Sequence, residues 1–180
     1  MNTISMNDRS MSMKNNGLNV RRAILLIFAC WLLHITALQS QELPNPGPKD
    51  TCPVCGMFVA KYPEWIGTVL YKDGHAHHFD GAKDLFKYLF DLQKWAPDHQ
   101  ASEIDRIAVT EYYSLARIDA KRAYYVIGSD VLGPMGHELI PLESQADAEA
   151  FLKDHQGVAI LKFDQVEKGL LLNLDVGVFE

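Results

Sequence analysis

Trp65-Ile-Gly-Thr-Val-Leu-Tyr71, Lys72-Asp-Gly74 and His75-Ala-His-His-Phe79 follow one another without interruption, and their reading decides the fold. Two runs rich in β-branched and aromatic residues flank an Asp-Gly pair, a strong two-residue hairpin signal. The stretch therefore predicts two antiparallel strands. Downstream, Asp80 stands where a helix N-cap belongs, and Leu85, Phe86, Leu89, Phe90 and Leu92 recur at helical spacing before Pro97. Ile104 to Tyr113 then reads as a third strand. Strand, strand, helix, strand is a ββαβ unit.

The same order recurs in the second half. Arg122-Ala-Tyr-Tyr-Val-Ile127, a Gly-rich connection and His137-Glu-Leu-Ile140 precede a helix that starts at Ser144, whose spacing to Asp147 is that of a capping box. Ala148, Phe151 and Leu152 share a helix face, Gly157 is placed to end the helix, and Val158 to Phe163 forms the closing strand. Leu170-Leu-Leu-Asn-Leu174 is either a further strand or a covering segment. The fold class is α+β, with two small ββαβ units of about sixty residues, each too small to bury much surface alone, packed together with a cleft between them. Four stretches follow along the 180 residues: a leader at 1–40, a tether at 41–51, a first unit at 52–113 and a second at 114–180.

The leader is an export signal in layout. Residues 1–20 are polar, Arg21 and Arg22 are basic, and Ala23 to Leu33 is an unbroken apolar run. That run falls short of the roughly 20 residues a membrane-spanning helix needs. Two cleavage sites compete within it. Ile27-Phe-Ala-Cys30 resembles a lipoprotein box and would leave Cys30 as a lipid anchor, whereas Leu38-Gln-Ser40 is an ordinary cleavage site. Gln41 to Asp50 holds Pro44, Pro46, Gly47 and Pro48, a composition suited to an extended tether.

Four of the 17 basic residues but only one of the 23 acidic ones lie in residues 1–40, so the remainder carries 13 basic against 22 acidic residues, a net charge of −9. Such a surface excludes nucleic acid as a partner, because phosphates demand a basic stripe. It suits cations or a basic partner face.

Thr51-Cys-Pro-Val-Cys-Gly-Met57 crowds two thiols and a thioether into the start of the folded region. Thiolates and thioethers are soft donors that favour Cu(I) over cations preferring oxygen. Gly56 gives the backbone freedom to turn so that the sulfurs of Cys55 and Met57 converge. Of six methionines, Met1, Met6, Met11 and Met13 fall in the leader, which leaves Met57 and Met135 for the rest. Met135 sits in Gly133-Pro-Met-Gly-His137, a loop where its thioether is available to a ligand and His137 stands by as an auxiliary donor. A structural zinc site would need a second ligand pair, and no second Cys-x-x-Cys exists. A thiol-disulfide oxidoreductase using Cys52 and Cys55 is the rival reading, although that chemistry places its motif at a helix N-terminus after a strand. His75, His77 and His78 read as packed or solvent-facing hairpin residues, with His77 and His78 on opposite faces. No phosphate loop and no nucleophile–base–acid constellation appears, so no enzyme is expected.

Cys52-Pro-Val-Cys-Gly-Met-Phe-Val59, the hairpin with Phe79-Asp-Gly81 leading into a helix, and the Met135-Gly136 loop together resemble the nitrous-oxide-reductase accessory copper chaperone family, NosL, over roughly residues 50 to 165. The resemblance implies a periplasmic protein, often lipid-anchored to the outer membrane, built from two ββαβ units otherwise seen in organomercurial lyase. It also implies that Cu(I) is bound and passed, with an ABC-type transporter complex and its periplasmic partner, toward the copper centres of nitrous oxide reductase. Cys55 and Met57 match the family's Cys-Gly-Met and Met135 its loop methionine, with Cys52 as a further candidate ligand. A more distant alternative implied by the shared fold is a lyase.

Overall fold

β1 (Gly67–Tyr71) and β2 (Ala76–Phe79) pair antiparallel, Gly67 opposite Phe79 and Leu70 opposite Ala76. The computed structural model describes residues 43–179; the leader, with Cys30 and Ser40, lies outside them. The connection is a three-residue loop rather than the two-residue turn expected. Tyr71 N–H donates to the His75 carbonyl at 2.8 Å, and Gly74 takes the left-handed conformation with φ +90° that closes a bulged turn. All five residues of β1 are buried because it runs between β2 and β3 (Ile104–Thr110). A short β4 (Arg117–Asp119), unmarked by any sequence signal, completes the order β2-β1-β3-β4.

The second sheet repeats this arrangement. β5 (Tyr124–Ile127) is central, flanked by β8 (Ile140–Leu142) and β9 (Ala159–Lys162), all antiparallel. Pro141, which cannot donate to a ladder, is tolerated because β8 is an edge strand. Between β5 and β8 the chain makes a ribbon of two-residue strands, β6 (Leu132–Gly133) and β7 (Gly136–His137), with Pro134 and Met135 at its tip. The expected strand from His137 to Ile140 is thus split in two.

Among the described residues, four α-helices cover the sheets. α1 (Ala82–Phe90) packs on β1 and β2, a break at Asp91 separates it from α2 (Leu92–Trp95), and α3 (Gln145–Asp154) packs on β5, β8 and β9. Ser144 caps α3 as expected, its hydroxyl accepting from Asp147 N–H at 3.1 Å. The left-handed residue that ends α3 is Gln156, φ 56°, and not Gly157. Gly157 is required for another reason, since a Cβ there would stand 2.6 Å from Val126 Cγ1. The segment around Leu170 to Leu174 is α4 (Lys168–Asp175), which packs on α1.

One apolar cluster runs through both sheets, joining Val69, Phe79, Leu85 and Phe86 to Tyr125, Ile127, Leu139 and Leu174. A smaller one under α3 holds Val126, Ile140, Leu142, Ala148 and Phe151.

The N-terminus of α1 departs most from expectation. Asp80 is not its cap: Gly81 occupies that position without a side-chain bond, and Asp80 is turned elsewhere. The free N–H of Lys83 is taken instead by Glu138 Oε2 at 2.9 Å, a cap supplied by the link between β7 and β8. The approach is close enough that a Cβ on Gly81 would lie 2.3 Å from Glu138 Oε1.

Burial pushes the Glu138 carboxyl up to about 8, partly offset by the Lys83 amide and ammonium. A group whose pKa is higher folded than unfolded contributes stability that is fully present below its unfolded pKa and lost as pH rises through its folded one. Stability should therefore decline between the ordinary carboxylate range and about pH 8. Denaturant unfolding across that range should show the decline in the wild type and a flatter profile in Glu138→Gln. Glu138→Ala, which strands buried amides, should cost about 1–3 kcal/mol at any pH. A Gln variant with an unchanged pH profile would remove Glu138 as the titrating group.

Candidate metal centre

Cys52 to Met57 forms a closed loop. Cys52 N–H donates to the Met57 carbonyl at 2.9 Å, Gly56 N–H donates to the Cys52 carbonyl at 2.8 Å, and Thr51 bridges Phe58. Gly56, with φ +80°, lets the chain reverse within six residues, a conformation strained for any residue bearing a Cβ. Cys52 is buried, Cys55 and Met57 are half-buried, and both thiols are free.

Two carboxylates face the two thiols. Cys55 Sγ donates to Asp80 Oδ1 at 3.1 Å and Cys52 Sγ to Asp84 Oδ2 at 3.5 Å. Asp80 and Asp84 are four residues apart at the start of α1, a spacing that lets both reach the loop. One donor atom from each of Cys52, Cys55, Asp80 and Asp84 lies within 4.8 Å of all the others. Asp80 Oδ2 is buried and has no hydrogen-bond partner among the described residues. A buried, unmatched carboxylate oxygen beside two thiols is a donor set that fits a cation.

The electrostatics keep these thiols protonated. Burial is the larger cause and the neighbouring carboxylates add to it; Cys55 is pushed up to about 12, and Cys52 is raised further. A metal ion taking a thiol as ligand must displace its proton. The carboxylate oxygen already accepting the S–H is the first acceptor available.

Met135 stands at the tip of the β6–β7 ribbon and is 43% exposed. Its backbone is fixed: Lys83 Nζ donates to the Met135 carbonyl at 2.9 Å and pairs with Asp175 at 3.0 Å. His137 Nδ1 is buried without a hydrogen-bond partner among the described residues, and its ring meets Phe179 edge-on at 4.8 Å. The start of α1 thus touches both segments, Asp80 and Asp84 receiving the thiols and Lys83 holding the Met135 carbonyl.

The sequence reading took Asp80 for a helix cap and passed over Asp84, although their four-residue spacing at the start of an amphipathic helix sets them side by side. It placed the hairpin histidines on opposite faces, and they are. His78 Nδ1 meets Thr68 Oγ1 at 2.9 Å on one side. His77 turns to the other, where its Nδ1 meets Tyr88 OH at 2.6 Å. Burial, then His75 and His99, push the His77 ring down to about 4.

Comparison with known proteins agrees with this architecture. The NosL family model matches residues 45–171. The curated copper-binding lipoprotein NosL of Stutzerimonas stutzeri is 27% identical over 124 residues, 68% of this chain. The match spans 64% of that relative, less than two thirds of its length. The crystal structure of the copper chaperone NosL from Shewanella denitrificans aligns with TM-score 0.60 and 23% identity, covering 72% of this chain and 98% of that one. The solution structure of apo-NosL from Achromobacter cycloclastes aligns with TM-score 0.42 and 22% identity over 58% of this chain and 87% of its own. The family model takes in the thiol loop, both sheets and the Met135 ribbon, and the chain belongs to the NosL family.

Proposed function

We propose that this protein carries Cu(I), bound by Cys55 as thiolate anchor and by Met57 and Met135 as exchangeable thioethers, with Cys52 or His137 completing the set. The observation that supports the reading is that the start of α1 is bonded both to the thiol loop, through Asp80 and Asp84, and to the Met135 carbonyl, through Lys83. Soft sulfur donors select Cu(I) from harder cations, and the name of the Stutzerimonas relative speaks of copper. Cu(I) replaces the Cys55 proton, which leaves along the S–H···Oδ1 bond to Asp80. Neutral thioethers then leave one at a time as a recipient's ligands enter, so the ion moves without becoming free. Met135, at an exposed tip, is the first to be exchanged.

In this reading the protein is a carrier and no enzyme. It works in the periplasm, held at the outer membrane when the leader is cut at Cys30. An ABC-type transporter complex and its periplasmic partner take part in the handover, and nitrous oxide reductase is the final recipient. The rival use of Cys52 and Cys55 in thiol-disulfide exchange needs an activated, low-pKa thiol. Both thiols here are shifted the opposite way.

Two experiments test the site, the first its metal ligands and the second the control of its thiol. Reduced, anaerobic protein loaded with Cu(I) and titrated against a competing chelator should lose affinity by more than about 100-fold in Cys55→Ser and by about 10- to 100-fold in Met57→Ala and Met135→Ala, with folding little changed in Met135→Ala. Affinity untouched by all three substitutions would sink the site. The second test follows alkylation of Cys55 across pH. Asp80→Asn removes a carboxylate that disfavours the thiolate, so the apparent pKa should fall below about 12 and the neutral-pH rate should rise. A slower or unaltered rate would exclude Asp80 from control of the thiol.

A further inference from the structure

Away from the thiols, the hairpin gathers a second set of donors. His75 follows its turn, His77 lies on β2, and His99 comes from the loop between α2 and β3. One ring nitrogen from each lies within 4.8 Å of the other two. In a tetrahedral zinc site with metal–nitrogen bonds near 2.0–2.1 Å, ligand nitrogens stand about 3.3 Å apart. The rings are thus short of ligation by a small side-chain adjustment. His75, which is exposed, is free to make most of it. It and His99 are close to parallel, 11° between planes at 5.4 Å, so a ring rotation is needed before their in-plane lone pairs converge.

The surroundings hold these rings as a metal site's outer contacts would. Tyr88 OH engages Nδ1 of His77, and Tyr71 OH bonds in turn to Tyr88 OH, which leaves Nε2 of His77 for another partner. His99 Nδ1 lies 3.9 Å from Glu103 Oε2, the side of the ring facing the carboxylate, with no hydrogen bond between them. The Tyr71 ring stacks on His99 at 4.0 Å and forms a floor beneath the group. Fixing one imidazole nitrogen so that the other faces a metal is how such ligands are oriented. Asp73 and Glu103 lie close enough to act on Tyr71. A stack of packed rings would explain the Tyr71 contacts alone; it does not call for three imidazoles from two separate segments meeting at their nitrogens.

We propose that His75, His77 and His99 form a second metal site that takes a divalent, imidazole-preferring cation of the Zn2+ or Cu2+ type, with a fourth position open to solvent. Three neutral nitrogen donors without sulfur differ from the thiol cluster in the metals they select, because imidazole suits Zn, Cu and Ni while Mg2+ and Ca2+ want oxygen. The site shares no residue with the thiol–carboxylate group. It does not depend on the Cu(I) reading.

Co2+ titration of the full-length, reduced protein under anaerobic conditions tests this. Cobalt on nitrogen and oxygen donors shows visible d–d bands alone, whereas cobalt on thiolate adds an ultraviolet charge-transfer band. The d–d bands should persist in Cys52→Ser/Cys55→Ser, be displaced by Zn2+, and weaken at least tenfold in affinity in His77→Asn and in His99→Asn. His155→Asn, at a histidine paired with Asp130, should leave them unchanged. Should the double serine variant fail to fold, the wild type still decides: His99→Asn must lower the visible d–d absorbance by the share of one cobalt equivalent and spare the charge-transfer band together with the d–d bands that accompany it. Equal cobalt affinity in wild type and His99→Asn, or no band free of thiolate character in a folded protein, overturns the proposal.

Discussion

The ammonium group of Lys83 is the point on which the architecture turns. Its side chain is 1% exposed, and a buried charge is tolerated only when it is paired and hydrogen-bonded. Here it donates to the Met135 carbonyl and pairs with Asp175 at the end of α4, while its backbone N–H donates to Glu138. One residue thereby joins the first sheet's helix to the ribbon of the second and to the C-terminal helix. Losing any partner would leave charge stranded in the interior, so these segments cannot drift apart cheaply. Placing Asp80 just ahead of the cap and Asp84 in the first turn then costs little extra organisation, because the start of the helix is already held.

The legible part of the sequence was the part governed by local periodicity. The hairpin runs, the helical stripe from Leu85 to Phe90 and the Ser144 capping box all announce elements whose signals lie within a few residues. Illegible were the features made by distant segments. Nothing near Asp80 says that Glu138 will cap α1, so Asp80 reads as the cap and its carboxylate is missed as the partner of Cys55. β4 has only three residues and exists because β3 offers it an edge. Cys52, Cys55, Met57 and Met135 stood out by their rarity and softness. His99 did not, because a single histidine in a loop after Pro97 becomes informative only once the hairpin is folded against it.

The two donor clusters illustrate opposite uses of burial. Around Cys55, low polarity and carboxylates hold protons on sulfur, and a cation must compete for the site. Around His77, burial and neighbouring imidazoles keep protons off nitrogen, so the lone pair stands ready. One α+β frame thus offers a soft, proton-guarded pocket and a borderline, imidazole-lined one, spaced a turn apart along the helix that carries Asp84 and Tyr88.

The cap that Glu138 provides also sets an order in time. A chain made from its N-terminus exposes the thiol loop, the hairpin and α1 well before Glu138 and Met135 have been synthesised. During that interval α1 lacks its cap and Lys83 has neither of its acceptors, so the sulfurs stand beside an unfinished helix. The last quarter of the chain is therefore the step that locks the site, and a protein truncated before Met135 would hold every thiol and still have no finished place to put them.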